Sequence, residues 1–106
     1  MAELKEYLKA DGSSPYVDWF NGLNAEAAAK VTVYITRVGN GNFSRVESVR
    51  GGVFECKIDF GPGYRVYFGK DGDKWIVLLG GGTKKRQQND IQEAQTLWLD
   101  YKKRKK

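Results

Sequence analysis

The sequence contains no histidine and only one cysteine among its 106 residues. The lack of histidine excludes acid–base catalysis by paired imidazoles and the usual zinc sites. The single cysteine, Cys56, cannot form an internal disulfide, and its place on the apolar side of a strand pattern favours a buried, unreactive thiol. The N-terminus has no signal-peptide pattern, and no apolar run approaches the roughly 20 residues that cross a bilayer. We therefore expect a cytoplasmic protein without membrane contact.

Two further absences narrow the chemistry. The carboxylates are too scattered along the chain for a two-metal site, and no phosphate-loop signature with its lysine is present. What remains is acid–base and electrostatic chemistry that uses neither metal nor cofactor. Cleavage of RNA fits this description, because the ribose 2′-OH is a built-in nucleophile that needs deprotonation, in-line positioning and charge stabilisation at phosphorus.

Basic side chains are concentrated at the C-terminal end of the chain. Residues 1–52 carry six basic and six acidic side chains and residues 53–83 carry four of each, whereas residues 84–106 carry eight basic and three acidic. The net charge of +5 therefore comes from the last segment. This concentration predicts an anionic partner, although a solvated, frayed tail over residues 102–106 is the alternative.

The segment from Val53 to Gly69 predicts a β-hairpin. Apolar and polar side chains alternate with period two on both sides of the turn Gly61-Pro62-Gly63, which is the pattern of strands with one buried and one wet face. A three-residue loop would place Arg65 opposite Asp59 and Tyr67 opposite Lys57. The solvent face then gathers a carboxylate, an ammonium, a guanidinium and a phenol, from Glu55, Lys57, Asp59, Arg65 and Tyr67. This surface is a candidate site.

Flanking patterns complete the predicted architecture. A short strand candidate covers residues 3–8, and Ser14-Pro15 and Asn24 each predict the start of a helix. Residues 42–52 are expected to form a connecting loop, residues 75–79 an inner strand covered on both faces, and the segment from about residue 83 a final helix. The order β-α-α-β-β-β-α predicts an α+β fold in a single domain, residues 1–106, with an antiparallel or mixed sheet and helices packed on one face.

The start of the final helix carries charges of the sign that helix N-termini disfavour. Lys84, Lys85 and Arg86 stand where the helix dipole favours acidic residues. A helix N-terminus with added cations is a natural phosphate cradle, and three preceding glycines let it reach the hairpin face. Alternatively, the helix begins near Asn89 and the three bases lie in a solvated loop.

Two runs of residues resemble a known family. V-F-E-C-K-I-D-F-G-P-G-Y-R-V-Y-F, which begins at Val53, and L-L-G-G-G-T-K-K-R-Q-Q-N-D-I-Q-E-A, from Leu78 to Ala94, resemble the RelE/ParE toxin superfamily. They are most similar to its HigB-like "addiction module killer protein" members, a phage-derived toxin branch. The combination of G-P-G-Y-R with G-G-x-K-x-x-Q-x-x-D-I carries the resemblance, which spans Val53 to Trp98. It implies a RelE-like fold and the toxin of a type II toxin–antitoxin system.

The resemblance also implies activity and partners. Many proteins of this superfamily cut mRNA in the ribosomal decoding site without a metal, so the expected function is that of a ribosome-dependent endoribonuclease. The expected partners are the ribosome, mRNA and a co-expressed antitoxin of helix-turn-helix type, which would form a toxin–antitoxin heterotetramer.

Four residues match the family's catalytic positions. The arginine after Gly-Tyr falls on Arg65, which would hold the phosphate, and the glutamate falls on Glu55, which would accept the 2′-OH proton. Lys57 and Lys84 would bind flanking phosphate oxygens or stabilise the leaving group, with the choice between Lys84 and Lys85 open. The remaining predicted RNA contacts are Tyr67, which would stack on a base, Lys85, Arg86, Lys102 and Lys103.

Each assignment has a structural alternative. Arg65 would be an exposed ion pair with Asp59, Tyr67 would be a packing residue, and the lysines would serve solubility. Two other functions also remain open. One is a ParE-like toxin that poisons a topoisomerase, and the other is a non-catalytic nucleic-acid-binding module that uses the basic tail.

Overall fold

A computed structural model describes residues 2–105, so Met1 and Lys106, the last residue of the predicted basic tail, lie outside the described residues. The strands form one five-stranded mixed sheet in the order β1-β5-β4-β3-β2, with β1 parallel to β5 and the other pairs antiparallel. The elements are β1 Glu3–Glu6, α1 Pro15–Asn21, α2 Ala25–Gly39, β2 Val46–Ser48, β3 Val53–Ile58, β4 Tyr64–Asp71, β5 Trp75–Thr83, a 3₁₀ turn Lys84–Arg86 and α3 Gln87–Arg104. The predicted α+β class and element order are confirmed, with β2 added.

Local capping explains where the first two helices begin. Ser14 Oγ accepts a hydrogen bond from the backbone N–H of Val17, and Asn24 Oδ1 accepts one from the N–H of Ala27. Such caps satisfy backbone donors that a helix start leaves unpaired. The β-branched second half of α2 remains helical because its apolar residues bury one stripe against the sheet.

The predicted loop at residues 42–52 contains β2, so that prediction is wrong in part. Val46, Glu47 and Ser48 pair with β3 in antiparallel register. Three residues are too few to show a period-two pattern, and glycines flank them on both sides. Pairing with β3, rather than local propensity, makes this segment a strand.

Helices cover both faces of the sheet, which corrects the prediction that they pack on one face. The first apolar cluster lies between α1, α2 and the sheet, and it includes Val31, Ile58 and Phe68. The second lies between α3 and the opposite face, and it includes Tyr67 and Trp98. The face expected to be wet is therefore largely buried. The prediction that residues 75–79 form an inner strand covered on both faces is confirmed.

The hairpin register differs from the predicted one by two residues. Ile58 pairs with Tyr64, so the loop has five residues, and Arg65 lies opposite Lys57 while Tyr67 lies opposite Glu55. The turn is closed within the loop by a hydrogen bond from Gly63 N–H to Phe60 C=O, before strand pairing begins. A shift of two residues leaves every side chain on the same face of the sheet. The predicted grouping of side chains is therefore correct, although the predicted cross-strand pairs are wrong.

Trp98 packs α3 against the sheet. A Cβ atom placed on Gly69 would lie 2.4 Å from Trp98 Cε3, so only glycine leaves room for the indole there. The indole also stacks on Tyr101, with ring centroids 5.1 Å apart. Within residues 2–105, no helix has both the length and the apolar character needed to cross a membrane.

Candidate functional site

A buried ion pair lies where the end of the hairpin meets the start of α3. Arg65 Nε is 3.5 Å from Glu55 Oε1, and the two side chains are 11% and 3% exposed. The alternating pattern of the hairpin predicted both residues on one sheet face, and that face was expected to be exposed. They are buried because α3 covers the face, so a cross-strand pair of Arg65 with Asp59 is not formed.

Gln87, the first residue of α3, holds the carboxylate of this pair. Its Nε2 donates to both oxygens of Glu55, at 2.9 and 3.2 Å. A carboxylate fixed in this way keeps its orientation toward Arg65. Gln87 therefore connects the last helix to the catalytic candidates on the hairpin.

The guanidinium of Arg65 has unused donor capacity. Its Nε is buried and has no hydrogen-bond partner among the described residues. A buried donor without a partner costs free energy, and such groups in a native fold call for an explanation. A ligand with oxygen acceptors, such as phosphate, would supply the missing bonds.

Lys57 extends the cluster away from α3. Its ammonium forms a salt bridge with Glu47 of β2 and is 38% exposed. Because Lys57 is the cross-strand partner of Arg65, two cations face each other here, and two carboxylates compensate them. The structure therefore brings together Glu55, Lys57 and Arg65 as predicted, and it adds Glu47.

The three basic residues lie directly before the start of α3, as in the first of the two arrangements that the sequence left open. Lys84, Lys85 and Arg86 make a 3₁₀ turn between β5 and α3, and all three side chains are exposed. The backbone N–H of Lys84 donates to Gly63 C=O at 3.0 Å, which ties this turn to the hairpin loop. Exposed cations thus border the Arg65 cluster at the same end of the sheet.

Tyr67 does not have the predicted freedom to stack on a base. It is 1% exposed beneath α3, and its buried hydroxyl oxygen has no hydrogen-bond partner in the part of the chain that the structure describes. Burial raises the pKa of this phenol above its ordinary value, and the nearby Glu55 and Asp90 raise it further. Stacking on RNA is ruled out by this burial, and Tyr67 instead forms part of a cavity wall.

That cavity lies beside the glycine end of β5 and has a volume of about 200 Å³. Its polar wall consists of Tyr67, Asp90, Glu93 and Arg86. Asp90 Oδ2 is buried and has no hydrogen-bond partner within residues 2–105. Burial raises the pKa of this carboxyl, although Arg86 acts to lower it. A Cβ atom on Gly82 would lie 1.9 Å from this oxygen, so glycine is required beneath it.

Lys102 and Lys103 are not part of this site. They lie in the last turn of α3, fifteen or more residues from Gln87, which corresponds to roughly 22 Å along the helix axis. The segment is helical through Arg104 rather than frayed, and Lys105 forms a salt bridge with Asp71 at the turn between β4 and β5. The C-terminal basic residues occupy the opposite end of the molecule.

The sequence analysis assigned no role to Gln87 or Asp90. Both belong to the G-G-x-K-x-x-Q-x-x-D-I pattern, in which they are three residues apart. That spacing places two side chains on the same face of a helix. A polar pair on the face of α3 that packs against the sheet was the signal that could have identified them.

The sequence of this chain is similar to a protein family and to a protein from another organism. The family model described as "Phage derived protein Gp49-like" matches residues 18–98. An uncharacterized protein of Haemophilus influenzae is 42% identical over 80 residues, which make up 74% of this chain and 81% of that protein. The residues matched by the family model include the hairpin and the start of α3.

Proposed function

Because this chain belongs to the phage-derived Gp49-like family, we propose that it is the toxin of a type II toxin–antitoxin system and cleaves mRNA on the ribosome. The family is toxin-like and lies within the RelE addiction-module group, so an antitoxin partner is implied. We assign the chain to the HigB-like type on the two motifs of the hairpin and the α3 start. The antitoxin would be a helix-turn-helix protein in a heterotetramer with the toxin.

The buried guanidinium of Arg65, whose Nε makes no hydrogen bond within residues 2–105, is the observation that supports this activity best. An arginine paired with Glu55 only at 3.5 Å, next to exposed cations at residues 84–86, suits a phosphate that arrives with the substrate. Arginine remains charged at any working pH and binds phosphate with two parallel hydrogen bonds. In the reaction it would stabilise the charge that develops at phosphorus while the 2′-oxygen, its proton released to solvent, bonds to phosphorus and the bond to the leaving 5′-oxygen breaks.

The remaining residues take roles that follow from their exposure. Glu55 is 3% exposed and is bound by Gln87, so we propose that it orients Arg65 rather than taking the 2′-OH proton. Lys57 and Lys84 are accessible enough to bind flanking phosphate oxygens. Lys85 and Arg86 would contact the RNA backbone beyond the scissile bond.

Arg65→Ala is a poor test, because it would leave the Glu55 carboxylate buried and unpaired. Breaking a buried ion pair on one side costs about 3–5 kcal/mol. The double variant Glu55→Gln/Arg65→Gln removes both charges together and keeps an acceptor for the Gln87 amide. Arg65→Lys keeps the charge beside Glu55 but lacks the planar fork.

The experiment maps transcript ends after brief expression of each variant. Wild type should create new ends within translated messages, and both Arg65 variants should lower their yield by roughly 100-fold, the usual effect of losing a charge-stabilising donor. Arg37→Lys, an exposed change on the far side of the sheet, is the matched control and should cleave normally. Thermal unfolding checks that each variant is folded.

The outcomes separate the alternatives. Full cleavage by a folded double variant would remove Arg65 from the mechanism. Toxicity without new transcript ends would favour topoisomerase poisoning. Salt-dependent RNA binding that is unaffected by Arg65 changes, again without cleavage, would favour a non-catalytic binding module.

A further inference from the structure

We propose that the cavity between β5 and the start of α3 is a guanine-binding pocket that reads one base of the RNA, with Asp90 as the specificity residue. This inference rests on the proposed function, because it concerns how the same substrate is selected. Its specificity residue, Asp90, plays no part in binding the phosphate, and Arg86, proposed above as an RNA contact, also lines this cavity.

Two residues that line this cavity each carry a buried polar atom without a hydrogen-bond partner among the described residues. Tyr67 is 1% exposed, and its hydroxyl makes no hydrogen bond within residues 2–105. Asp90 Oδ2 is likewise buried and unpaired. Gly82 leaves room for the Asp90 carboxylate at this wall, since a Cβ there would lie 1.9 Å from Oδ2. A ligand that enters this space must bring hydrogen-bond donors.

Guanine offers the donors that this wall lacks. Its Watson–Crick edge carries two neighbouring donors, N1–H and the N2 amino group, which a carboxylate accepts as a pair, whereas the other bases present one donor group there. Its O6 and N7 are the acceptors to which arginine donates most often in nucleic-acid complexes, and Arg86 lines the same cavity. Tyr67 can donate or accept and so completes the set.

The shape of the cavity suits an unstacked base. Its volume of about 200 Å³ exceeds that of a single planar base, and Trp19 and Leu97 supply apolar wall. Single-stranded RNA is commonly read in this way, with the base splayed out against nonpolar side chains and its Watson–Crick edge hydrogen-bonded.

The cavity also lies close to the proposed phosphate site. Tyr67 and Arg65 are two residues apart on β4 and point to the same sheet face, a separation of roughly 7 Å. Gln87 contacts Glu55, and Asp90, one helical turn later, lines the cavity. One RNA strand crossing the start of α3 can therefore reach both sites. An arginine side chain from a protein partner is disfavoured, because it would meet Arg86 at the same wall.

Titration with nucleoside monophosphates tests the pocket without the ribosome. We expect millimolar GMP to give saturable NMR shifts at the backbone amides of Gly80, Gly81 and Asp90. IMP, which lacks the 2-amino group, should bind roughly tenfold more weakly, and AMP should not saturate. Asp90→Asn should abolish the preference for GMP, whereas Asp73→Asn, the same charge change in an exposed turn, should leave it intact.

Each contrary result overturns the inference. Equal responses to GMP and AMP, no saturable shift with GMP, or an unchanged preference in Asp90→Asn would each reject a guanine pocket. Saturation by arginine amide but not by GMP would assign the cavity to a protein partner. Because no cleavage is involved, failure here is distinct from failure of the nuclease proposal, which the Arg65 variants test.

The mapped transcript ends give a second readout. If the pocket acts during cleavage, wild-type ends should show guanine enriched at one fixed position relative to the cut. Asp90→Asn should keep cutting but lose that enrichment. Enrichment that persists in Asp90→Asn would contradict the assignment even where cleavage itself is confirmed.

Discussion

The burial of Asp90 destabilises the folded protein when its carboxyl is charged. Its Oδ2 is buried, and burial raises the pKa of the carboxyl, with Arg86 opposing and Glu93 adding to the shift. A carboxyl whose pKa is higher in the folded than in the unfolded state stabilises the fold only when protonated. This contribution is complete below the ordinary aspartate pKa and is lost as the pH rises through the raised value.

Asp90→Asn is therefore expected to stabilise the protein at neutral pH. Asparagine has nearly the same size and carries no charge to desolvate, so the midpoint of thermal unfolding should rise by a few degrees at pH 7. The gain should shrink when the pH falls below that of ordinary aspartate titration, where the wild-type carboxyl is protonated as well. Calorimetry at both pH values measures it. A variant less stable than wild type at pH 7 would contradict this account.

At the scale of elements, α3 is the part of the fold that the sequence described least completely. Its apolar stripe predicted a packed helix, but nothing in the stripe specified which sheet face it covers. The hairpin register failed for a similar reason, because loop length is not encoded in the period-two pattern that located the strands. Neither error changes which sheet face a side chain lies on. Glu55, Lys57 and Arg65 were therefore grouped correctly. Their burial, and the roles of Gln87 and Asp90, depend on contacts between elements that a local pattern does not contain.

The packing of Trp98 in α3 against the sheet leads to a prediction about stability. Trp98 is 5% exposed, so Trp98→Ala should lower the free energy of unfolding by about 3–5 kcal/mol. Gly69→Ala should also destabilise, by about 1–3 kcal/mol, because its methyl group would overlap the indole. Urea denaturation measures both.

Coupling between the two positions identifies the cause. Gly69→Ala should cost much less when Trp98 is already alanine, since the overlap is then gone. Gly80→Ala is the control within a strand, because a Cβ there meets nothing within 4 Å. Additive effects of the Gly69 and Trp98 changes would show that the close contact is not what makes Gly69 necessary.

At the scale of the whole molecule, the positive charge is divided between two ends. Lys84, Lys85 and Arg86 lie beside the Arg65 cluster, whereas the basic residues of the last turn of α3 lie at the opposite end. The sequence showed the total excess of positive charge correctly, but it could not show that the length of α3 separates the two basic groups. Only the first group is placed to act on an RNA held at Arg65.

Paired lysine variants test this division. Lys84→Ala/Lys85→Ala should lower both cleavage and the salt dependence of RNA binding, because two phosphate contacts near the cut are removed. Lys102→Ala/Lys103→Ala removes the same charge and should leave cleavage of bound message nearly unchanged. Transcript-end mapping and RNA binding at several salt concentrations provide the comparison. An equal loss of cleavage in both variants would indicate that the RNA spans the whole length of α3.

The single thiol of the chain can report local opening of the fold. Cys56 is 1% exposed among the residues that α2 packs against, and burial raises the pKa of its thiol to about 11. A thiol-reactive dye can therefore label the chain only during moments when that layer opens. The labelling rate measures how often α2 separates from the sheet, and changes confined to the α3 side should leave that rate untouched.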